Sequence, residues 1–175
     1  MRDERALPVD GSVFEALFRV AAPEGALGAK LEALGIALDP GGRRFSAQQW
    51  LGALHAYREA LFPGPDGFRQ LGAALARAFG DTFSGRLILI ALPMLSPLQL
   101  LRRWPRFVRV GRTDVVLEVV ELGERAVAID SIDPVEVPME LNLGLLEHVF
   151  SLLGERPTYE VQPRGPGEAR VIVRW

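Results

Sequence analysis

Cysteine is absent from the 175 residues, and with it go disulfides, thiolate nucleophiles and most structural zinc sites. A basic excess is missing too. Twenty Lys and Arg stand against twenty-two Asp and Glu, so no overall charge drives sequence-independent binding to nucleic acid, and no such partner is expected. Lysine is almost missing, Lys30 standing alone against nineteen arginines. No long apolar run exists: the strongest, Leu87 to Leu95, is interrupted by Pro93, far short of the roughly 20 residues a membrane-spanning helix needs. The charged start Met1-Arg2-Asp3-Glu4-Arg5 has no apolar stretch of signal-peptide type behind it. A cytoplasmic chain without a membrane span is the expectation. What is present is an ordinary globular composition, 49% hydrophobic and 24% charged, at a length that suits one domain.

The first half reads as helical. Asp10-Gly11-Ser12 can cap a helix carrying Val13, Phe14, Leu17, Phe18 and Val20. A second helix runs from Glu24 to Leu34 and stops at Gly35, and Ser46 caps a third, Ala47 to Leu61, whose stripe is Trp50, Leu54, Tyr57 and Leu61. Asp66 starts a fourth, with Phe68, Leu71, Leu75, Phe79 and Phe83 on one side. Its Gly72, Ala76 and Gly80, spaced by four, admit a close helix neighbour. Leu87 to Leu92 is apolar all round and reads as a central buried helix. Ser96-Pro97-Leu98-Gln99 is a capping box that opens a short helix ending before Pro105.

Beyond Pro105 the apolar period changes from 3.6 to 2. Phe107 to Val110, Val115 to Leu122 and Arg125 to Ile132 read as strands, followed by a helix from Met139 to Leu153 and strands Thr158 to Gln162 and Ala169 to Trp175. The predicted class is α+β, with N-terminal helices packed on a C-terminal antiparallel sheet in the order β-β-β-α-β-β. Residues 1–9 carry little apolar content and are expected to be a flexible N-terminus that can be cut without loss of stability. Residues 10–175 form the single domain.

Chemistry-bearing signatures are sparse. His55 falls on the polar face of its helix and His148 at the edge of the polar arc of its own, so both read as surface histidines. No G-x-S-x-G, P-loop or H-E-x-x-H pattern occurs, and the chain reads more readily as a non-enzyme than as an enzyme. Two charged clusters stand out. One is Arg102, Arg103, Arg106, Arg109 and Arg112, interleaved with Trp104 and Phe107. The other is Asp130, Asp133, Glu136 and Glu140. The arginines either solvate an edge strand or, with the aromatics, form a docking patch. The acidic run has no calcium-loop spacing, and no metal site is assigned.

Several stretches carry a resemblance: Leu61-Phe62-Pro63-Gly64, Phe68-Arg69-Gln70-Leu71-Gly72, Phe83-Ser84-Gly85-Arg86, Leu101-Arg102-Arg103-Trp104-Pro105-Arg106-Phe107 and the closing Val171-Ile172-Val173-Arg174-Trp175. With these the chain resembles a paralogous family of uncharacterised myxobacterial proteins of about this length. In element order it is similar to heme-NO-binding domains, vinyl-reductase-type domains and the small subunits of vesicle-tethering complexes. That likeness implies helices stacked on an antiparallel sheet around an apolar ligand pocket. The Tyr-x-Ser-x-Arg motif of heme-NO-binding domains has no counterpart here, so heme is not expected and no cofactor is assigned.

Two functions follow as expectations. The first is a non-catalytic sensory or regulatory module that binds a small apolar molecule between central helix and sheet, lined by Phe79, Phe83, Leu87, Ile90, Met94 and Leu146. The second is a protein-interaction module, a homodimer or a scaffold component, using Arg102, Arg103, Trp104, Arg106, Phe107 and Arg109 as an exposed patch. An enzyme would need Asp130, Asp133 or His148 to converge in a cleft.

Overall fold

The computed structural model describes residues 7–82, 85–86 and 94–175. Strand β1 (Val9–Asp10) pairs antiparallel with β2 (Arg44–Phe45). Helices α1 (Gly11–Val20), α2 (Gly25–Ala33), α3 (Ala47–Leu61) and α4 (Gly67–Gly80) make up the N-terminal half. The starts of α1 and α3 follow the local chemistry, whereas Asp66 makes no side-chain cap to α4. The Asp10 carboxylate accepts from the Ser12 amide at 2.9 Å. Ser46 and Gln49 complete a reciprocal box at the head of α3, satisfying two amides that a helix start would leave without partners. Phe14, Leu17, Trp50, Leu54, Tyr57, Leu71 and Leu75 are buried together as a first apolar core. The expected central helix, Leu87 to Leu92, lies outside the described residues.

Helix α5 (Pro97–Gly111) departs from the sequence reading. It opens with the predicted Ser96–Gln99 box but does not stop before Pro105, which sits inside it. The stretch 107–110, expected as a strand, is therefore helix. Both periods fit Phe107-Val108-Arg109-Val110 locally. The helical one prevails because it extends the stripe Leu100, Leu101 and Trp104, all buried, and this burial outweighs the amide that Pro105 lacks.

Strands β3 (Val116–Gly123) and β4 (Ala126–Ile132), helix α6 (Met139–Leu152), and strands β5 (Thr158–Gly165) and β6 (Glu168–Arg174) complete the chain. The four strands form one antiparallel sheet in the order β3-β4-β6-β5. The α+β class and the helices-then-sheet order stand. Register places Val119, Ile129, Val171 and Val161 in one row across the sheet. Val127, Ile129, Val171 and Val173 pack with Leu100, Leu101, Trp104, Leu143, Leu146 and Phe150 as a second core. No helix among the described residues is long and apolar enough to cross a membrane.

Helix α6 joins the two cores, because Leu141 belongs to the first and Leu146 to the second. It crosses α4 backbone against backbone. A Cβ on Gly72 would collide with the Leu141 carbonyl, and one on Gly144 with the Arg69 carbonyl. Arg69 of α4 clips the crossing from outside, donating to Glu147 at 2.6 Å and to Glu140 at 3.2 Å.

The N-terminal boundary shifts. Residues 8 and 9, expected as part of a flexible segment, are tied in. Val9 is 0% exposed, and the Pro8 carbonyl accepts from the Thr113 amide at 3.0 Å. The run around Val9 is too short to announce its burial; Phe45 and Arg112, which meet it, come from far along the chain.

Candidate functional site

Where the two cores face each other they leave a cavity of about 450 Å³. Its walls come from α1 (Val13, Ala16), α4 (Leu75, Phe79), α5 (Leu100, Trp104, Val108), β4 and β6 (Ile129, Val171) and α6 (Leu145, Leu146, Val149). An apolar hollow of this size exceeds ordinary packing defects and falls in the range of small-molecule sites.

One end of the cavity is polar and tightly organised. Arg112, just past the end of α5, donates to Asp114 through Nε at 2.7 Å and through Nη2 at 2.9 Å, and to Asp133 through Nη2 at 2.9 Å. All three side chains are at most 15% exposed. Burial works against the Arg112 charge, but the hydrogen bonds and field of Asp114 and Asp133 outweigh it, so its pKa lies above the ordinary arginine value. The Asp133 carboxylate also accepts from the Val135 amide at 3.1 Å, fixing the loop between β4 and α6. In that loop Glu136 holds φ +54°, a left-handed conformation uncommon outside glycine. Gly167 packs against it so closely that a Cβ would collide with the Asp133 carbonyl.

His148 of α6 also lines the cavity and is half-buried. Burial first, and Arg77 second, push its pKa below the usual histidine value, so its imidazole is neutral near pH 7. The sequence placed it on a solvated arc. It reaches the wall because α6 lies between α4 and the sheet, so that even the edge of its polar arc is covered.

The predicted residues separate. Phe79 and Leu146 stand at the cavity wall. Met94 does not: it is 85% exposed. Phe83, Leu87 and Ile90 lie outside the described residues. In the arginine cluster the aromatics turn inward, Trp104 being 8% exposed and Phe107 half-buried. A helix puts Trp104, Phe107 and Val108 on one face, and the exposed aromatic patch is lost. Arg102, Arg103, Arg106 and Arg109 occupy the outer face, Arg102 pairing with Glu121 of β3 at 2.6 Å. The acidic run disperses as well. Asp130 lies on the sheet with Arg170 and Arg164, Asp133 holds Arg112, and Glu140 meets Arg69. Asp133 and His148 share the cavity wall, but Asp130 does not join them.

Residues 8–175 match the family described as "Protein of unknown function (DUF2378)". The chain belongs to this family. A search of curated proteins finds no match. Among solved structures, an H-NOX protein from S. oneidensis in the Fe(II)NO ligation state superposes with TM-score 0.69 and 11% identity, covering 94% of this chain and 98% of that one. A structure described as "Modulating Heme Redox Potential Through Protein-Induced Porphyrin Distortion" gives 0.68 and 14%, over 94% and 97%. An oxygen-binding H-NOX domain related to soluble guanylate cyclases gives 0.58 and 16%, over 94% and 91%. At these identities the likeness is one of fold. It nonetheless overturns the expectation of a chain with no cofactor and with heme disfavoured. The structures that share this fold are described with heme, with Fe(II)NO and with bound oxygen.

Proposed function

We propose that this chain is a sensory module that carries a ligand in the cavity between its helices and the sheet, and that the ligand is heme. The cavity carries the reading: about 450 Å³ with walls of Leu, Val, Trp and Phe from both cores. Heme has broad apolar faces and an iron that takes a nitrogen donor. The residues fit such a group, since the walls are apolar and the imidazole of His148 stands among them. When bound, heme supplies an iron centre for redox or small-ligand chemistry, while the chain supplies orientation, dryness and electrostatics. The fold shared with H-NOX structures supports the same reading. The role is regulatory rather than catalytic: Asp133 is held by Arg112, and Ser131 spends its hydroxyl on the Ala169 carbonyl at 3.2 Å.

Native mass spectrometry of protein made in hemin-supplied cells tests this, together with a hemin titration of the purified chain. The expected result is a heme mass that leaves on denaturation and a saturable Soret band. A clean chain mass with only the spectrum of unbound hemin refutes it.

A second reading rests on a different observation. Helix α5 contains no Asp or Glu, and its outer face exposes Arg103, Arg106 and Arg109 beside Arg102. Such a face suits an acidic protein surface, on a second copy or a scaffold partner. A dimer in sedimentation that dissolves on Arg103→Glu with Arg106→Glu supports the homodimer form; one sedimentation coefficient for both proteins rejects it.

A further inference from the structure

We infer that the protein ligand to the heme iron is His148, presented by the helix that lies between strands β4 and β5, and that it is the single protein ligand. This rests on the heme reading and deepens it.

The inventory of donors is short. The whole sequence has no cysteine, two histidines, three methionines and two tyrosines, and iron–porphyrin centres draw their axial ligands from these types. Position removes most of them. His55 is exposed and stands edge-on to Phe68, ring centres 5.1 Å apart, away from the cavity wall. Tyr57 donates its hydroxyl to the Ala21 carbonyl at 2.8 Å, and Tyr159 lies beside Arg69 at the α4–α6 crossing. Burial pushes both phenols up, away from the phenolate that binds iron. Met94 is on the surface, and Met1 lies outside the described residues. The buried side of α5 contributes Leu100, Leu101 and Trp104, none of which offers a donor pair to a metal. Among the described residues two donors remain at the wall, Met139 and His148.

These two cannot share one iron. They are nine residues apart on α6. That separates their Cα atoms by about 13 Å along the axis and turns them to opposite sides of the helix. Axial donors on one metal lie roughly 4 Å apart, twice a metal–nitrogen bond. Of the two, the imidazole is the stronger ligand and lies beside the wall residues Leu145, Leu146 and Val149. Met139 sits in the first turn of α6, near the acidic Glu136 and Asp133 end of the cavity.

The experiment compares hemin-loaded wild type with His148→Ala, His148→Gln and Met139→Leu by optical spectroscopy and resonance Raman of the ferrous forms. Wild type is expected to show an iron–histidine stretch. Both His148 variants are expected to lose it and to weaken hemin binding more than about 10-fold, and added imidazole to restore the signature in His148→Ala. Met139→Leu is expected to keep the iron–histidine stretch. His148→Gln keeps the side-chain volume and a polar end, so a loss shared by both His148 variants with unchanged circular dichroism reports ligation and not collapse. A His148→Ala protein that keeps the wild-type spectrum overturns the assignment while leaving the heme reading intact. A wild-type chain that takes up no hemin overturns both.

Discussion

Single side chains with charge set the tightest local constraints. Arg112 is buried against Asp114 and Asp133 at the cavity end and also touches Val9 through its backbone. Removing one member of such a group strands the others in a medium that solvates them poorly. Arg112→Ala should cost about 3 kcal/mol in urea denaturation. Asp130 offers a pH test. The hydrogen bonds from Arg170, with Arg164 nearby, hold its carboxyl below the usual range. A folded-state pKa lower than the unfolded one adds stability above the unfolded value of about 4, and that increment disappears as pH falls through the folded value. Asp130→Asn should therefore be less stable than wild type at pH 7 and lose less between about pH 5 and 3, as read from urea midpoints across that range.

Among the elements, the α4–α6 crossing and the end of α5 are the informative places. Gly72 and Gly144 let two backbones touch, so Gly144→Ala must push Arg69's carbonyl or the helix axis aside. A loss of about 2 kcal/mol is expected, with a matching fall in melting temperature. The run of small residues at spacing four in α4 announced such a neighbour but not which one; α6 supplies it from seventy residues away. Helix α5 teaches the opposite lesson. Its cap was legible in Ser96-Pro97-Leu98-Gln99, yet its length was not. Pro105 is a local stop signal, and the sheet that overrides it is made by residues 116–174. The inward turn of Phe107 follows from that one difference, and with Trp104 buried beside it the aromatic docking patch becomes a bare arginine face.

For the whole molecule, the cavity between the two cores couples ligand to stability. A ligand bound only by the folded state should add about 2.7 kcal/mol at a hundredfold excess over Kd, seen with hemin as a melting-temperature rise of several degrees at this chain length. The N-terminal seam gives a second test at this scale. Val9 joins β2 and the end of α5, so Val9→Ala should cost about 2 kcal/mol. No loss would restore the picture of an idle first nine residues.

The sequence by itself determined the α+β class, the order of helices and sheet, most helix starts and the absence of thiol chemistry. Each of these depends on neighbours a few positions apart: caps, turn residues and apolar period. Only the tertiary structure decided that His148 reaches a cavity, that Met94 does not, that Arg112 gathers Asp114 and Asp133, and that α5 continues through its proline. For His148, for Asp133 beside Arg112 and for α5 the deciding partner is distant along the chain. Burial energy is counted over all the surfaces that meet, so a local signal such as a proline or a polar arc yields when packing elsewhere outweighs it.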